Sequence, residues 1–229
     1  MTRIVVLVIA LSGVARADDA ADQKACDAGK AAACVTLGGK YANGTGGVTK
    51  DEVKGLALFL KACAAKSGMG CGFAGGMTVD GIGTTADPAK GIALREKGCT
   101  LNDGATCNDL GTSWSEGKDG AASIDLAKAK SFYEKACKLK DGLGCYNFGN
   151  VYRLGEGVTI DLKQAKLYFE KSCGLEQPKG CTELGIMYYE GKGVPKNKDK
   201  AVELLTKACT LGSDVACKNV DLLKGAKTN

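Results

Sequence analysis

The sequence predicts an all-α fold in which antiparallel helix pairs stack into a solenoid. A phrase of two cysteines separated by seven residues occurs six times, and its first cysteines recur every 36 to 38 residues: Cys26, Cys63, Cys99, Cys137, Cys173 and Cys209. A period in this range is typical of solenoids built from helical units. The segments between the cysteines also show helical rather than strand-like spacing of their apolar residues.

Residues 1–17 have the features of a secretory signal peptide, with a basic start, an apolar run and the small-residue site Ala15-Arg16-Ala17. We expect cleavage after Ala17 and a soluble mature chain, 18–229, that is secreted or periplasmic. It keeps 29 basic against 26 acidic residues, a net charge of +3. This charge is too small and too evenly spread to favour nucleic acid, and no later stretch is long enough for membrane insertion. We expect a monomer.

The first helix of each pair, helix A, begins near the second cysteine of the phrase. Residues 3, 4 and 7 after that cysteine are usually a large apolar residue, a glycine and an aromatic residue, as in Leu184, Gly185 and Tyr188. These positions lie on one face of a helix, where a glycine lets a neighbouring helix approach closely. A further glycine ten residues after the cysteine, such as Gly191, is expected to end helix A.

The second helix, helix B, ends at the first cysteine of the next phrase. It carries a small residue eight positions before that cysteine and a large apolar one five before it, as in Ala165 and Tyr168. The repeats therefore run over about 27–63, 64–99, 100–137, 138–173 and 174–209, with a terminal half-repeat at 210–229. Together they predict a single solenoid domain, 18–229.

Each pair of cysteines is predicted to form a disulfide. On one continuous helix, eight residues would separate the two Cα atoms by about 12 Å, beyond the ~7 Å limit for a bridge. The intervening residues contain Asp and Gly, so we expect a turn there and a bridge from helix B to the next helix A. The predicted bridges are Cys26–Cys34, Cys63–Cys71, Cys99–Cys107, Cys137–Cys145, Cys173–Cys181 and Cys209–Cys217.

The composition disfavours several kinds of chemistry. The chain has no histidine, which excludes Ser-His-Asp and Cys-His catalysis and imidazole-containing zinc sites. It has no C-x-x-C motif, and an exported chain with paired cysteines favours disulfides over thiolate zinc sites. Glycine-rich strings such as GEGVTI follow a helix rather than a strand, so we interpret them as interhelical turns. We therefore expect no metal and no cofactor.

The repeated pattern of LG, then Tyr, then GxGV, then a helix ending in KAC resembles the Sel-one-like repeats, relatives of the tetratricopeptide repeats. The cysteine pair in each repeat is similar to that of the secreted Helicobacter cysteine-rich proteins. The resemblance covers residues 20–224 and implies a right-handed αα-superhelix whose concave groove is lined by A helices. It also implies a function in binding protein or peptide partners. Because this branch has members classed as β-lactamases, the resemblance leaves open a β-lactam binding or hydrolysing enzyme.

The weak candidate for such catalysis is the S-x-x-K match formed by Ser115 and Lys118. This motif places an amine beside a hydroxyl when both residues lie on one helical turn, and it needs S-D-N and K-T-G companions. Here Gly117 lies between the two residues at the expected helix end, and both companions are absent. The sequence therefore favours a chance match.

The groove offers the candidate binding residues. With positions 3, 4 and 7 in the core, positions 1, 5, 8 and 9 after the second cysteine should line it. We expect partner contacts from Asn108, Thr112, Tyr146, Asn150, Arg153 and Tyr189. The equivalent residues of the first two repeats, among them Gly39 and Ala42, are small or apolar, so binding should concentrate in the later repeats.

A lysine stripe is the alternative surface. A lysine lies two residues before the first cysteine in successive repeats: Lys61, Lys97, Lys135, Lys171 and Lys207. The stripe could bind an anionic partner, or it could be a solvated face that favours the helix C-terminal dipoles. Neighbouring acidic residues such as Glu134 favour the second interpretation.

Overall fold

The structure is a computed structural model that describes residues 19–121 and 123–225. Within these ranges all regular structure is helical. Residues 19–27 form α1. The remaining helices are α2 (Ala31–Asn43), α3 (Glu52–Ala64), α4 (Gly68–Asp80), α5 (Pro88–Thr100), α6 (Gly104–Glu116), α7 (Leu126–Lys138), α8 (Gly142–Leu154), α9 (Leu162–Gly174), α10 (Pro178–Glu190), α11 (Lys198–Thr210) and α12 (Asp214–Gly225). The even-numbered helices are the predicted A helices, and the predicted signal peptide lies outside the described residues.

Each loop from an A helix to a B helix is fixed by hydrogen bonds at the start of the B helix. Asp161, the N-cap of α9, accepts hydrogen bonds from the main-chain N–H groups of Lys163 and Gln164. Its own N–H donates to the carbonyl of Tyr152 in α8. Such a cap stabilises a helix by about 1 kcal/mol. Asp51, Asp87, Asp125 and Asn197 occupy the same position in the other B helices.

The glycine-rich strings form turns, as the sequence predicts. Gly191 ends α10 in the left-handed conformation, with φ of 75°. Gly193 is also left-handed, and a Cβ atom there would lie 2.6 Å from the Cβ atom of Leu162 in α9. Glycine is therefore needed both for the backbone conformation and for the close approach of the loop to the preceding B helix.

The disulfides join each B helix to the next A helix. The Cα atoms of the pairs at 26 and 34, 63 and 71, 137 and 145, 173 and 181, and 209 and 217 lie 4.4 to 4.7 Å apart. Cys99 and Cys107 are also disulfide-bonded. The predicted all-α repeat fold with a disulfide in each repeat is confirmed. These bonds indicate an oxidising, extracytoplasmic environment.

The left-handed turn residue between the bridged cysteines is not glycine in the four middle phrases, whereas it is Gly29 in the first phrase and Gly212 in the last. In the phrase that links α7 to α8, Lys140 adopts the left-handed conformation with φ of 63°. Asp141 then caps α8 by accepting a hydrogen bond from the N–H of Gly144. Gly144 itself lies inside α8, where a Cβ atom would approach the Cβ atom of Ala136 to 2.4 Å. The predicted turn is therefore present, but Gly144 contributes to it only by permitting close packing of the two helices.

The chain forms two compact units. The N-terminal unit contains the chain up to Thr106 together with Gly117–Ser123, and the C-terminal unit contains Cys107–Glu116 together with the chain from Ile124 onwards. A core cluster in the N-terminal unit contains Leu56, Phe59, Ala74 and Met77. The main cluster of the C-terminal unit includes Phe169, Leu184, Met187 and Leu205. No helix in the described ranges is long and apolar enough to span a bilayer.

The core contains two positions that the sequence pattern did not identify. The predicted position 3 residues are buried, for example Phe148 and Leu184. Position 6 is buried as well, as in Val151 and Met187. The residue four before each first cysteine, such as Phe169, packs directly against position 4 of the A helix and explains the glycine found there.

Candidate functional site

The A helices α8 and α10 of the C-terminal unit form a continuous surface because they contact each other as well as the B helices. Positions 2, 5, 8 and 9 after the second cysteine are the accessible ones on these helices, and we call this surface the A-helix face. In α8 and α10 it consists of Asn147, Asn150, Arg153, Leu154, Glu183, Ile186, Tyr189 and Glu190. Position 2 was not among the positions predicted from the sequence, although it lies on the same helical stripe as positions 5 and 9.

Arg153 is held in place at the centre of this face. Its Nε atom donates a hydrogen bond of 2.9 Å to Oδ1 of Asn150 and lies 3.9 Å from Oε2 of Glu183 in α10. Within the described residues, the two terminal nitrogens of the guanidinium have no hydrogen-bond partner. The side chain as a whole is 35% exposed. The arrangement is an oriented pair of donors suited to a carboxylate or carbonyl oxygen.

Tyr189 forms one wall of an apolar pocket on the same face. The pocket has a volume of about 310 Å³ and lies between α10, α11 and α12. Its lining includes Ile186, Tyr189, Leu205, Asn219, Leu222 and Leu223. Tyr189 is 43% exposed and Leu222 is 71% exposed, so the mouth presents apolar surface. A pocket of this size accommodates one apolar side chain.

The other predicted binding residues are more enclosed. Asn108 is only 4% exposed, and its Oδ1 atom accepts a hydrogen bond of 2.8 Å from Nδ2 of Asn147. The structure therefore corrects the prediction for Asn108, which holds α6 to α8. Thr112 is partly buried and donates to the main-chain carbonyl of Asn108. Tyr146 is also partly buried and packs on Phe169, with ring centroids 6.0 Å apart.

Ser115 lies near the end of α6, in contact with neighbouring side chains and main chain. The Ser115 hydroxyl donates to the Thr112 carbonyl at 3.0 Å and lies 3.1 Å from the hydroxyl oxygen of Tyr133. Helix α6 ends at Glu116, and Gly117 has φ of 64°. Lys118 thus lies beyond the helix end, exposed to solvent, rather than one turn after Ser115. The two residues of the S-x-x-K match therefore do not share one helix, which the motif requires.

Two residues of the lysine stripe make contacts with the preceding repeat. Nζ of Lys61 lies 2.6 Å from Oδ1 of Asp27, and this hydrogen bond lowers the pKa of Asp27. Nζ of Lys207 donates to the carbonyl of Cys173 near the end of α9. The positive charge of a lysine near the C-terminal end of a helix interacts favourably with the helix dipole. The contacts agree with the interpretation of the stripe as a solvated, helix-capping face.

The space between successive A helices, above a B-helix side chain, recurs in each repeat of the C-terminal unit but is occupied by different side chains. Its floor is the residue four before the first cysteine. Above Tyr133, the hydroxyls of Thr112 and Ser115 bond to the tyrosine hydroxyl. Above Phe169, Arg153 lies between Asn150 and Glu183. Above Leu205 no polar network forms among the described residues, and the apolar pocket remains open.

The similarity of this chain to known proteins lies in this repeat. The Sel1 repeat model matches residues 31–67, 74–103, 105–141, 142–175 and 178–213. A Sel1 repeat protein of Oxalobacter formigenes has 25% identity and a TM-score of 0.75, over 82% of this chain and 76% of that one. The protective antigen c5321 of uropathogenic Escherichia coli has 23% identity and a TM-score of 0.75, over 88% and 43%.

Cysteine-rich protein B of Helicobacter pylori has 38% identity and a TM-score of 0.48, over 58% of this chain and 94% of that one. The search of curated proteins gave no match. The repeat matches nevertheless cover more than half of the chain and confirm the predicted resemblance. The chain belongs to the Sel1 repeat family.

Proposed function

We propose that this chain is an exported scaffold that binds a partner polypeptide through the A-helix face of its C-terminal unit. Sel1 repeats are scaffolds that mediate protein interactions. The observation that carries the proposal is the Arg153 guanidinium, which Asn150 orients through Nε while both terminal nitrogens remain without a partner in the described chain. An oriented donor pair binds with less loss of side-chain entropy than a mobile arginine.

The chemistry of the partner follows from the two features on this face. The terminal nitrogens of Arg153 suit a carboxylate or a main-chain carbonyl. The pocket beside Tyr189 suits an apolar side chain. Neighbouring A helices lie about 10 Å apart, and an extended peptide spans about 3.3 Å per residue. The proposed ligand is therefore an extended segment with an apolar side chain roughly three residues from an acidic group.

A double variant tests the assignment of the face. Peptides are selected from a random displayed library on the disulfide-intact protein, and their affinities are measured by fluorescence anisotropy. Arg153→Ala combined with Tyr189→Ala should weaken binding by about ten-fold or more, because aromatic and arginine anchors commonly contribute over 1 kcal/mol each. Both side chains lie on the accessible face, so helicity and melting temperature should change little.

The matched control is the pair Lys135→Ala and Lys171→Ala on the lysine stripe. This pair should leave the affinity unchanged within about two-fold, since exposed lysines contribute little to binding through a distant face. If the lysine pair abolishes binding and the Arg153 and Tyr189 pair does not, the partner binds the stripe and the proposed face is wrong.

A further inference from the structure

The N-terminal unit contains a pocket that the sequence analysis did not predict. It has a volume of about 360 Å³ and lies between α2, α3 and α4. Its apolar lining includes Val35, Gly39, Ala42, Phe59, Phe73 and Met77. The sequence analysis set these repeats aside because their residues are too small or apolar to anchor a polar partner. The same property creates an apolar cavity.

The pocket occupies the same register as the open pocket of the C-terminal unit. In both, the floor is the residue four before a first cysteine, Phe59 here and Leu205 there. In both, one wall comes from positions 5, 8 and 9 of an A helix. The opposite wall comes from positions 2 and 6 of the following A helix, which are Phe73 and Met77 in this unit. The chain thus presents this pocket twice, once in each unit.

The two pockets differ in the size of their wall residues. A Cβ atom built on Gly39 would have no heavy atom within 4 Å, whereas positions 5 and 8 of α10 carry Ile186 and Tyr189. The ring of Phe73 lies 5.0 Å from that of Phe59, centroid to centroid, and remains 49% exposed. The exposed Phe73 ring, which packs on the buried Phe59, therefore offers apolar contact area that the fold itself does not cover.

The charges at the rim indicate what the pocket excludes. Lys50 and Glu52 are its charged lining residues, and they form an ion pair of 2.7 Å with each other. A charged ligand group would lose water on entering the pocket and would find no net opposite charge. An uncharged apolar side chain has no such hydration to lose on entering the pocket. Asn43 at the rim offers an amide that suits the main chain of a peptide.

We propose that the pocket between α2, α3 and α4 is a second docking site, which accepts one uncharged apolar side chain of a partner polypeptide. The inference rests on the proposed function only for the class of partner. It adds a site in the other unit, which takes the same class of side chain as the pocket beside Tyr189.

The test is a titration of the isotope-labelled full chain, with disulfides intact, followed by two-dimensional amide NMR. The probe is acetyl-Ser-Gly-Leu-Gly-Ser-amide, and its counterpart carries Asp in place of Leu. The leucine peptide should cause saturable shifts of the amides of Gly39, Ala42 and Phe73, and the aspartate peptide should not. If the aspartate peptide shifts the resonances of these amides as strongly as the leucine peptide does, the proposed selectivity is wrong.

Two glycine substitutions separate the pocket from general effects. Gly39→Leu should fill the pocket with its own side chain and weaken the affinity for the leucine peptide by about ten-fold or more. The matched control is Gly174→Leu, because Gly174 is also a helical glycine with no heavy atom within 4 Å of a built Cβ. It should leave the shifts of the N-terminal unit unchanged. Phe73→Ala, at an exposed ring, gives a second variant that should also weaken binding.

The same titration distinguishes this inference from the proposed function. Shifts at Tyr189 and Leu222 report the pocket of the C-terminal unit, and shifts at Gly39 and Phe73 report this one. If only the C-terminal amides shift, the second site is wrong while the proposed function stands. If Gly39→Leu leaves the N-terminal shifts intact, the peptide binds elsewhere in that unit and the inference is also wrong.

Discussion

The hydroxyl oxygen of Tyr133 lies 3.1 Å from the hydroxyl oxygen of Ser115, so α7 and α6 are linked through the residue that would be the nucleophile of an S-x-x-K site. The Tyr133 ring also lies against Gly111, where a Cβ atom would approach the ring to 2.5 Å. The Ser115 hydroxyl makes a further bond to the Thr112 carbonyl. Its surroundings are those of a packing contact between two helices.

Ser115→Ala should therefore affect stability rather than any reaction with β-lactams. We expect the free energy of unfolding, measured by urea denaturation, to fall by about 1 kcal/mol because a partly buried hydrogen bond is lost. Nitrocefin turnover and covalent labelling by penicillin, measured by intact mass, should be the same for both proteins. Tyr133→Phe should lower stability similarly, since it removes the other hydroxyl of the pair.

Ser131→Ala is the matched control for this prediction. The Ser131 hydroxyl is exposed and bonds only within α7, to the carbonyl of Lys128. Its loss should change stability by less than about 0.5 kcal/mol. A penicilloyl adduct that maps to Ser115 and disappears in Ser115→Ala would contradict the packing role and support the enzyme interpretation.

The disulfides are expected to be local and independent. Non-reducing peptide mapping should find only bridges between cysteines eight residues apart, with no thiol available for labelling. Removing one bridge by Cys137→Ala with Cys145→Ala should cost about 2.5 kcal/mol, because closing so short a loop constrains the unfolded chain by that amount. For a chain of this length the melting temperature should fall by about 5–10 °C. A bridge between different repeats would refute the pairing.

The sequence predicted the features that depend on neighbouring residues in the chain. The ends of the A helices and the bridges follow from residues within one turn or loop, and so do the caps of the B helices, which the sequence analysis did not name. Gly191 ends α10 because a left-handed residue is needed there. Asp161 caps α9 because its carboxylate reaches two main-chain N–H groups. Such interactions repeat in register, so one motif predicts every copy.

The features that depend on contacts between helices could not be predicted in this way. The bond from Asn147 to Asn108 joins residues 39 positions apart, and nothing local to Asn108 indicates that its side chain is buried. Arg95 takes the floor position that Phe59 holds one repeat earlier, and it forms an ion pair of 3.1 Å with Asp119 in a loop. Side chains that differ between repeats choose partners by three-dimensional geometry, which the period does not contain.

Tyr168 should make the stability of the chain depend on alkaline pH. Burial raises the pKa of Tyr168, and the negative charges on Tyr152 and Glu134 raise it further. The folded state therefore holds the phenolic proton more tightly than the unfolded state. This contribution is complete below the ordinary tyrosine pKa of about 10 and is lost as the pH rises above it.

Tyr168→Phe isolates that contribution. The phenylalanine ring can keep the contacts with Phe148 and Tyr152 but cannot ionise. We expect the free energy of unfolding of the variant to fall less than that of the unmodified chain between pH 9 and pH 11, measured by urea denaturation. Tyr189→Phe, on an exposed ring, should behave as the unmodified chain does. Parallel curves for Tyr168→Phe and the unmodified chain would contradict the prediction.

The turn residue three positions after each first cysteine offers a reciprocal test of backbone conformation. Lys140 occupies this position with φ of 63°, and Gly212 occupies it in the last repeat with φ of 92°. A residue with a Cβ atom loses about 1–2 kcal/mol in the left-handed conformation, whereas glycine loses more entropy on folding. Lys140→Gly should raise the free energy of unfolding by about 0.5–1 kcal/mol, and Gly212→Lys should lower it by a similar amount. Opposite signs would identify backbone conformation as the cause, because neither substitution changes packing. Both side chains would be solvent-exposed, and a Cβ atom at Gly212 meets no atom within 4 Å. If both substitutions shift the urea midpoint in the same direction, the left-handed conformation is not what distinguishes the two turns.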